Sequence, residues 1–167
     1  YASGIYVAGD PTYGAFNDEF RLEDVSIQAT NVLTGTVSGQ AIGLYARHIK
    51  LTLRQVSAQI FTLEGNADGM LLRDVAVNGV DTSWNVDSHA GGNVYGVQAQ
   101  NTSLRMRNGG FFAQTSGAGQ ATAVNGTGTD VNFTDMSIGA VDSGAGGGAL
   151  NLTSTPQGYN SFNLQSD

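Results

Sequence analysis

The side chains able to do chemistry are few in this chain, and their densest group is Asp81, Trp84, Asp87, Ser88 and His89 in the segment 80–93, VDTSWNVDSHAGGN. A carboxylate two residues from a histidine can move a proton, and an indole can stack on a sugar ring. Polysaccharide cleavage asks for more: a strong base with a cation beside it, or two carboxyls poised across one bond. One loop holding Asp and His meets neither demand. The segment therefore reads either as a recognition loop with Trp84, Asp87 and His89 as contacts or as a cover in which Trp84 folds back over a strand edge; no catalytic residue is assigned, and the chain is not expected to be an enzyme. The other histidine, His48, follows Arg47 at the exit of a strand and reads as a solvated turn residue. Metal-ligand spacings, GxSxG, HExxH and glycine-rich phosphate fingerprints do not occur, so neither a metal nor a cofactor is expected.

Two further groups suit recognition. The segment 9–19, GDPTYGAFNDE, sets Tyr13 and Phe16 beside acidic residues, and such aromatics are common interface anchors. Arg54, Arg73 and Arg107 recur at one position of a repeat and predict a positive stripe for an anionic glycan or an acidic partner, with Glu23 facing Arg54 across one coil.

These side chains hang on a ten-residue pattern: apolar, any, apolar, any, any, apolar, any, apolar, any, small. It reads FRLEDVSIQA from Phe20, LTLRQVSAQI from Leu51, MLLRDVAVNG from Met70, LRMRNGGFFA from Leu104 and VNFTDMSIGA from Val131. The period-two alternation breaks once and resumes, so a strand turns a corner while its apolar side keeps facing one interior. At the break stand Asp24, Gln55, Asp74, Asn108 and Asp135. Asn and Asp tolerate the left-handed backbone of a bend, so this file reads as a polar ladder rather than a cation site. A shorter strand signature, as in Gly43-Leu44-Tyr45-Ala46 and Gly96-Val97-Gln98-Ala99, precedes most copies. With Ile5, Leu44, Leu63, Val97, Val124 and Leu150 as markers, units lie about 39, 19, 34, 27 and 26 residues apart, in the range of solenoid repeats.

Three short strands per unit, all running the same way round, predict an all-β fold: a right-handed parallel β-helix of about six coils, on the order of 30 Å long at about 4.8 Å per coil. One interior file is expected to hold Phe20, Leu51, Met70, Leu104 and Val131, and the next Leu22, Leu53, Leu72, Met106 and Phe133. An antiparallel sandwich would instead show tight Asn-Gly or Asp-Gly hairpins and no files in phase. Residues 1–167 read as a single domain, a segment of a longer secreted or surface protein. Nothing at 1–4 resembles a polar cap, which points to end-to-end self-association, whereas 157–167 reads as a cap over the last coil.

Composition agrees. The 24 Gly against 2 Pro suit many bends, and cysteine is absent. A net charge of -7 with Lys50 as the sole lysine leaves little to bind phosphate, so nucleic acid is excluded as a partner. No apolar run of about 18 residues is present, and membrane insertion of this segment is not expected.

The coil Gly43-Leu44-Tyr45-Ala46, Leu51-Thr52-Leu53, Val56-Ser57-Ala58, and the unit beginning Gly96-Val97-Gln98-Ala99, resemble those of pertactin-like autotransporter passenger domains. The resemblance implies an extracellular or bacterial cell-surface protein, an adhesin or binding scaffold recognising a host protein or glycan through 9–19 and 80–93. The chain lacks the Arg-Gly-Asp tripeptide, the proline-rich repeat loop and the translocator barrel of that group. Two other readings of the same architecture are a carbohydrate-active β-helix, like a phage tailspike or a polysaccharide lyase or epimerase, and a structural spike or filament module.

Overall fold

Alternation of period two makes the strands, and residues that accept a left-handed backbone make the corners. The computed structural model describes residues 2–9, 18–32, 39–142, 147–153 and 161–165. The first coil comprises β1 (Ala2–Ala8), β2 (Glu19–Glu23) and β3 (Ser26–Asn31), and the second β4 (Gly39–Arg54) and β5 (Ser57–Thr62). A single long strand, β6 (Gly65–Ser88), forms the third. The fourth is β7 (Val94–Gln100) with β8 (Ser103–Thr115), the fifth β9 (Ala121–Thr127) with β10 (Asp130–Asp142). Two strands, β11 (Gly148–Thr153) and β12 (Ser161–Gln165), begin a sixth. Every pairing among the described residues is parallel, coil upon coil, so the fold is a β-solenoid with three strand segments per turn.

Two series of left-handed residues turn the first two corners. His48, Asp74, Asn101 and Gly128, with φ of 53°, 52°, 49° and 58°, make the first; Asp24, Gln55, Asp81, Asn108 and Asp135, with φ of 54°, 50°, 56°, 51° and 52°, make the second. That conformation costs most side chains roughly 1–2 kcal/mol, and Asn and Asp offset it with short local hydrogen bonds. At the third corner positive φ falls on glycine, Gly65 at 104° and Gly91 at 96°, and hydroxyls bond the backbone. The Thr62 hydroxyl donates to the Glu64 carbonyl at 2.7 Å and that of Ser88 to the Gly65 carbonyl at 3.2 Å, while Thr115 Oγ1 accepts from the Gly117 N–H at 3.4 Å.

The register corrects four details of the expected repeat. Met70 pairs with Leu44 and Val97, and the residue in register with Leu51 is Val77. The segment from Met70 thus turns the first corner, whereas those from Phe20, Leu51, Leu104 and Val131 turn the second. Both corners are written apolar, any, apolar, any, bend, apolar, any, apolar, so the pattern alone cannot tell them apart. The marker Leu63 likewise gives way to Met70, and in the file Leu44, Met70, Val97, Val124, Leu150 successive partners stand 26 or 27 residues apart. Asp74 leaves the second-corner file for the first, and Asp81 takes its place. Finally, the backbone of 161–165 does not fold over the end as a cap: it pairs in parallel with β10, Phe162 beside Val131, and extends the solenoid.

The interior is filled by files running along the axis. Leu51, Val77, Leu104 and Val131 form one, and Ala58, Trp84 and Phe111 another, all buried. Size alternates between rungs. Trp84 follows Ala58, and Gly79 lies in register with Met106, whose Sδ and Cε stand 2.5 Å from where a glycine Cβ would be. Such exchange keeps the cross-section constant, as close packing demands.

Candidate functional site

A solenoid strand turns alternate side chains inward and outward, so the residues flanking each core file form outer files of their own. On the third face these outer files carry hydroxyls, amides and rings. Ser26, Ser57 and Ser83 share one, Gln28, Gln59, Asn85 and Phe112 the next, and Thr30, Phe61, Asp87 and Gln114 the one beyond. Register between β3, β5, β6 and β8 sets these amides, hydroxyls and rings at one coil spacing, about 4.8 Å.

Two grooves open on this face and meet at Asn85. One, of about 350 Å³, is lined by Gln28, Thr30, Gln59, Phe61, Asn85 and Asp87. The other, of about 360 Å³, lies where Gly110 and Gly139 leave room beside Phe112, which is 38% exposed. Among the described residues neither groove is lined by a lysine, an arginine or a histidine. Asp87 carries the carboxylate of the pair, and its Oδ1 accepts no hydrogen bond from the protein.

The residues singled out from the sequence fall in different places. Trp84 is no loop residue: it is 1% exposed inside β6, because 80–88 is strand and the recognition loop expected at 80–93 shrinks to its last few residues. Thr82 stands at an interior position of that stretch and Gly79 just before it, and these atypical core residues disguised the strand as a loop. Asp87 faces the groove, while His89 lies just beyond the strand, exposed, its N–H donating to the Thr62 carbonyl at 3.0 Å. Among the described residues no arginine lines the groove with Asp87. Tyr13 and Phe16 lie outside the described residues.

The expected arginine stripe divides. Arg54 and Arg107 belong to one file on the second face but are separated by Val80, with Glu23 in register beside Arg54 as anticipated. Arg73 sits on the first face next to Arg47. Shallow grooves accompany both basic patches, about 250 Å³ beside Arg105 and Arg107 and about 270 Å³ beside Arg73.

Sequence reasoning missed Gln28, Gln59, Phe61 and Phe112. Their signal was parity, since each occupies the outward position beside a core residue, but only register shows that they align.

Electrostatics elsewhere is local. At the first corner His48 Nδ1 lies 3.7 Å from Asp74 Oδ2, and the Asn101 amide donates to Asp74 Oδ1 at 3.1 Å. On the surface Arg21 donates to Glu19 at 2.9 Å, and that bond and charge hold the Glu19 carboxyl below its ordinary range. Asp68 is 1% exposed, and burial pushes its carboxyl up to about 6 against the single hydrogen bond donated by Gln40 at 2.9 Å. Burial, and then the Asp68 charge, raise the neighbouring Tyr95 hydroxyl. Among the described residues no group of three or more His, Asp or Glu side chains is gathered to hold a metal, and no helix is long and apolar enough to cross a membrane.

Comparison with models of known families, with curated proteins and with solved structures yields no match to this chain.

Proposed function

We propose that this chain is a non-catalytic binding scaffold, extracellular or displayed on a bacterial surface in the manner of a pertactin-like autotransporter passenger, that recognises a host protein or glycan. The coil pattern around Gly43-Leu44-Tyr45-Ala46 supports the kinship, and the parallel solenoid agrees with it. The observation that carries the binding role is the third face, where two adjoining grooves set Phe61 and Phe112 among amides on a rigid ladder. Recognition sits on this face rather than at Trp84. Rigid strands place such groups more closely than loops do, and a preformed surface lowers the entropic cost of binding. The test is attachment of the purified chain to host cells or immobilised host-surface extract, compared with a Phe61→Ala/Phe112→Ala double variant of unchanged melting temperature. Attachment that is lost in the variant supports the reading; attachment that is absent in the parent chain, or unchanged in the variant, removes it.

A further inference from the structure

We infer that the third face takes a neutral, extended glycan lying along the solenoid axis. The inference rests on the binding-scaffold reading above and names the ligand class. Three features of the grooves select it. Gln28, Gln59 and Asn85 stand in one file on successive coils, and each amide both donates and accepts, as a sugar hydroxyl does. Phe112 continues that file on the next coil and Phe61 stands in the file beside it, one in each groove, offering rings to the C–H surfaces of pyranose rings. Charge then decides between kinds of glycan. With no lysine or arginine among the described lining residues, and with the Asp87 carboxylate present, the grooves repel sulfate and uronate groups. The coil spacing of about 4.8 Å repeats the same polar groups at intervals close to one sugar unit, so a linear chain meets them in phase.

The test is calorimetric titration of the whole chain with neutral linear hexasaccharides of glucose, mannose and galactose, alongside hexagalacturonate and a heparin hexasaccharide. At least one neutral probe is expected to bind saturably and more tightly than either anionic one. Phe61→Ala and Asp87→Asn should each weaken it tenfold or more, and Arg73→Ala, on another face, should leave it unchanged. Gln28→Ala/Gln59→Ala, confined to exposed amides, serves as the second variant should Phe61→Ala fail to fold, and should weaken binding by a similar factor. No binding of any neutral probe, tighter binding of the anionic ones, or indifference to the groove variants overturns the inference. Host-cell attachment that survives enzymatic removal of surface glycans yet is lost in the Phe61→Ala/Phe112→Ala variant overturns the glycan alone and leaves the scaffold reading standing.

Discussion

Trp84 and Phe111 occupy the same rung position on successive coils, in register and each about 1% exposed, so the chain's one indole is a packing element between Ala58 and a phenyl ring. Truncating it should leave a cavity that neighbouring coils cannot fill. Trp84→Ala is expected to cost about 3–5 kcal/mol, read from urea unfolding. Trp84→Phe should cost much less, since it also removes the Nε1–H that finds no partner in the interior. Equal losses for the two variants would contradict this account.

Glycines in the first strands let coils approach closely. A Cβ at Gly69 would stand 2.3 Å from the carbonyl oxygen of Gly96, a backbone atom that cannot step aside. At Gly79 the close approach would be to the flexible end of Met106, with Thr82 Cγ2 at an ordinary 3.6 Å. Gly69→Ala should therefore lower stability by more than about 2 kcal/mol and Gly79→Ala by distinctly less, as thermal unfolding of the pair would reveal.

Asp68 predicts a pH dependence with a definite sign. Its carboxyl titrates at about 6 in the folded chain against an ordinary 3.8, so the folded state holds the proton more tightly. The stability this confers is fully present below about pH 4, is lost as pH rises through about 6, and above that a buried charge remains. Asp68→Asn should raise the melting temperature at pH 8, by an amount corresponding to on the order of 2–3 kcal/mol, with the gain vanishing near pH 4. A gain that is constant with pH would argue against a buried carboxylate as its origin.

The left-handed corners should discriminate between side chains by backbone alone. At Gln55, with φ 50°, glycine should be tolerated to within about 1 kcal/mol, whereas valine, whose branched Cβ clashes in that conformation, should cost about 2 kcal/mol or more. Guanidinium unfolding of Gln55→Gly and Gln55→Val provides the comparison.

Much of the architecture is legible in the sequence because its causes are local. Alternation such as Ser57-Ala58-Gln59-Ile60 makes a strand with one buried side, and Asp or Asn at the break makes a corner, whatever the rest of the chain does. Hence the strand–bend–strand unit, the parallel stacking and the polar corner residues follow from the residues themselves. Which corner a given unit turns does not follow. Met70-Leu71-Leu72 and Leu51-Thr52-Leu53 obey one local code, and only hydrogen bonding to residues 26 or 27 positions away sets Met70 beside Leu44 and Val77 beside Leu51. The binding face is decided at the same level: Gln28, Gln59, Asn85 and Phe112 become one file through inter-coil register, and Trp84 enters the core because Ala58 on the neighbouring coil leaves it room. Local steric preference wrote the strands and bends; long-range pairing and the volume to be filled at each rung determined which side chains meet.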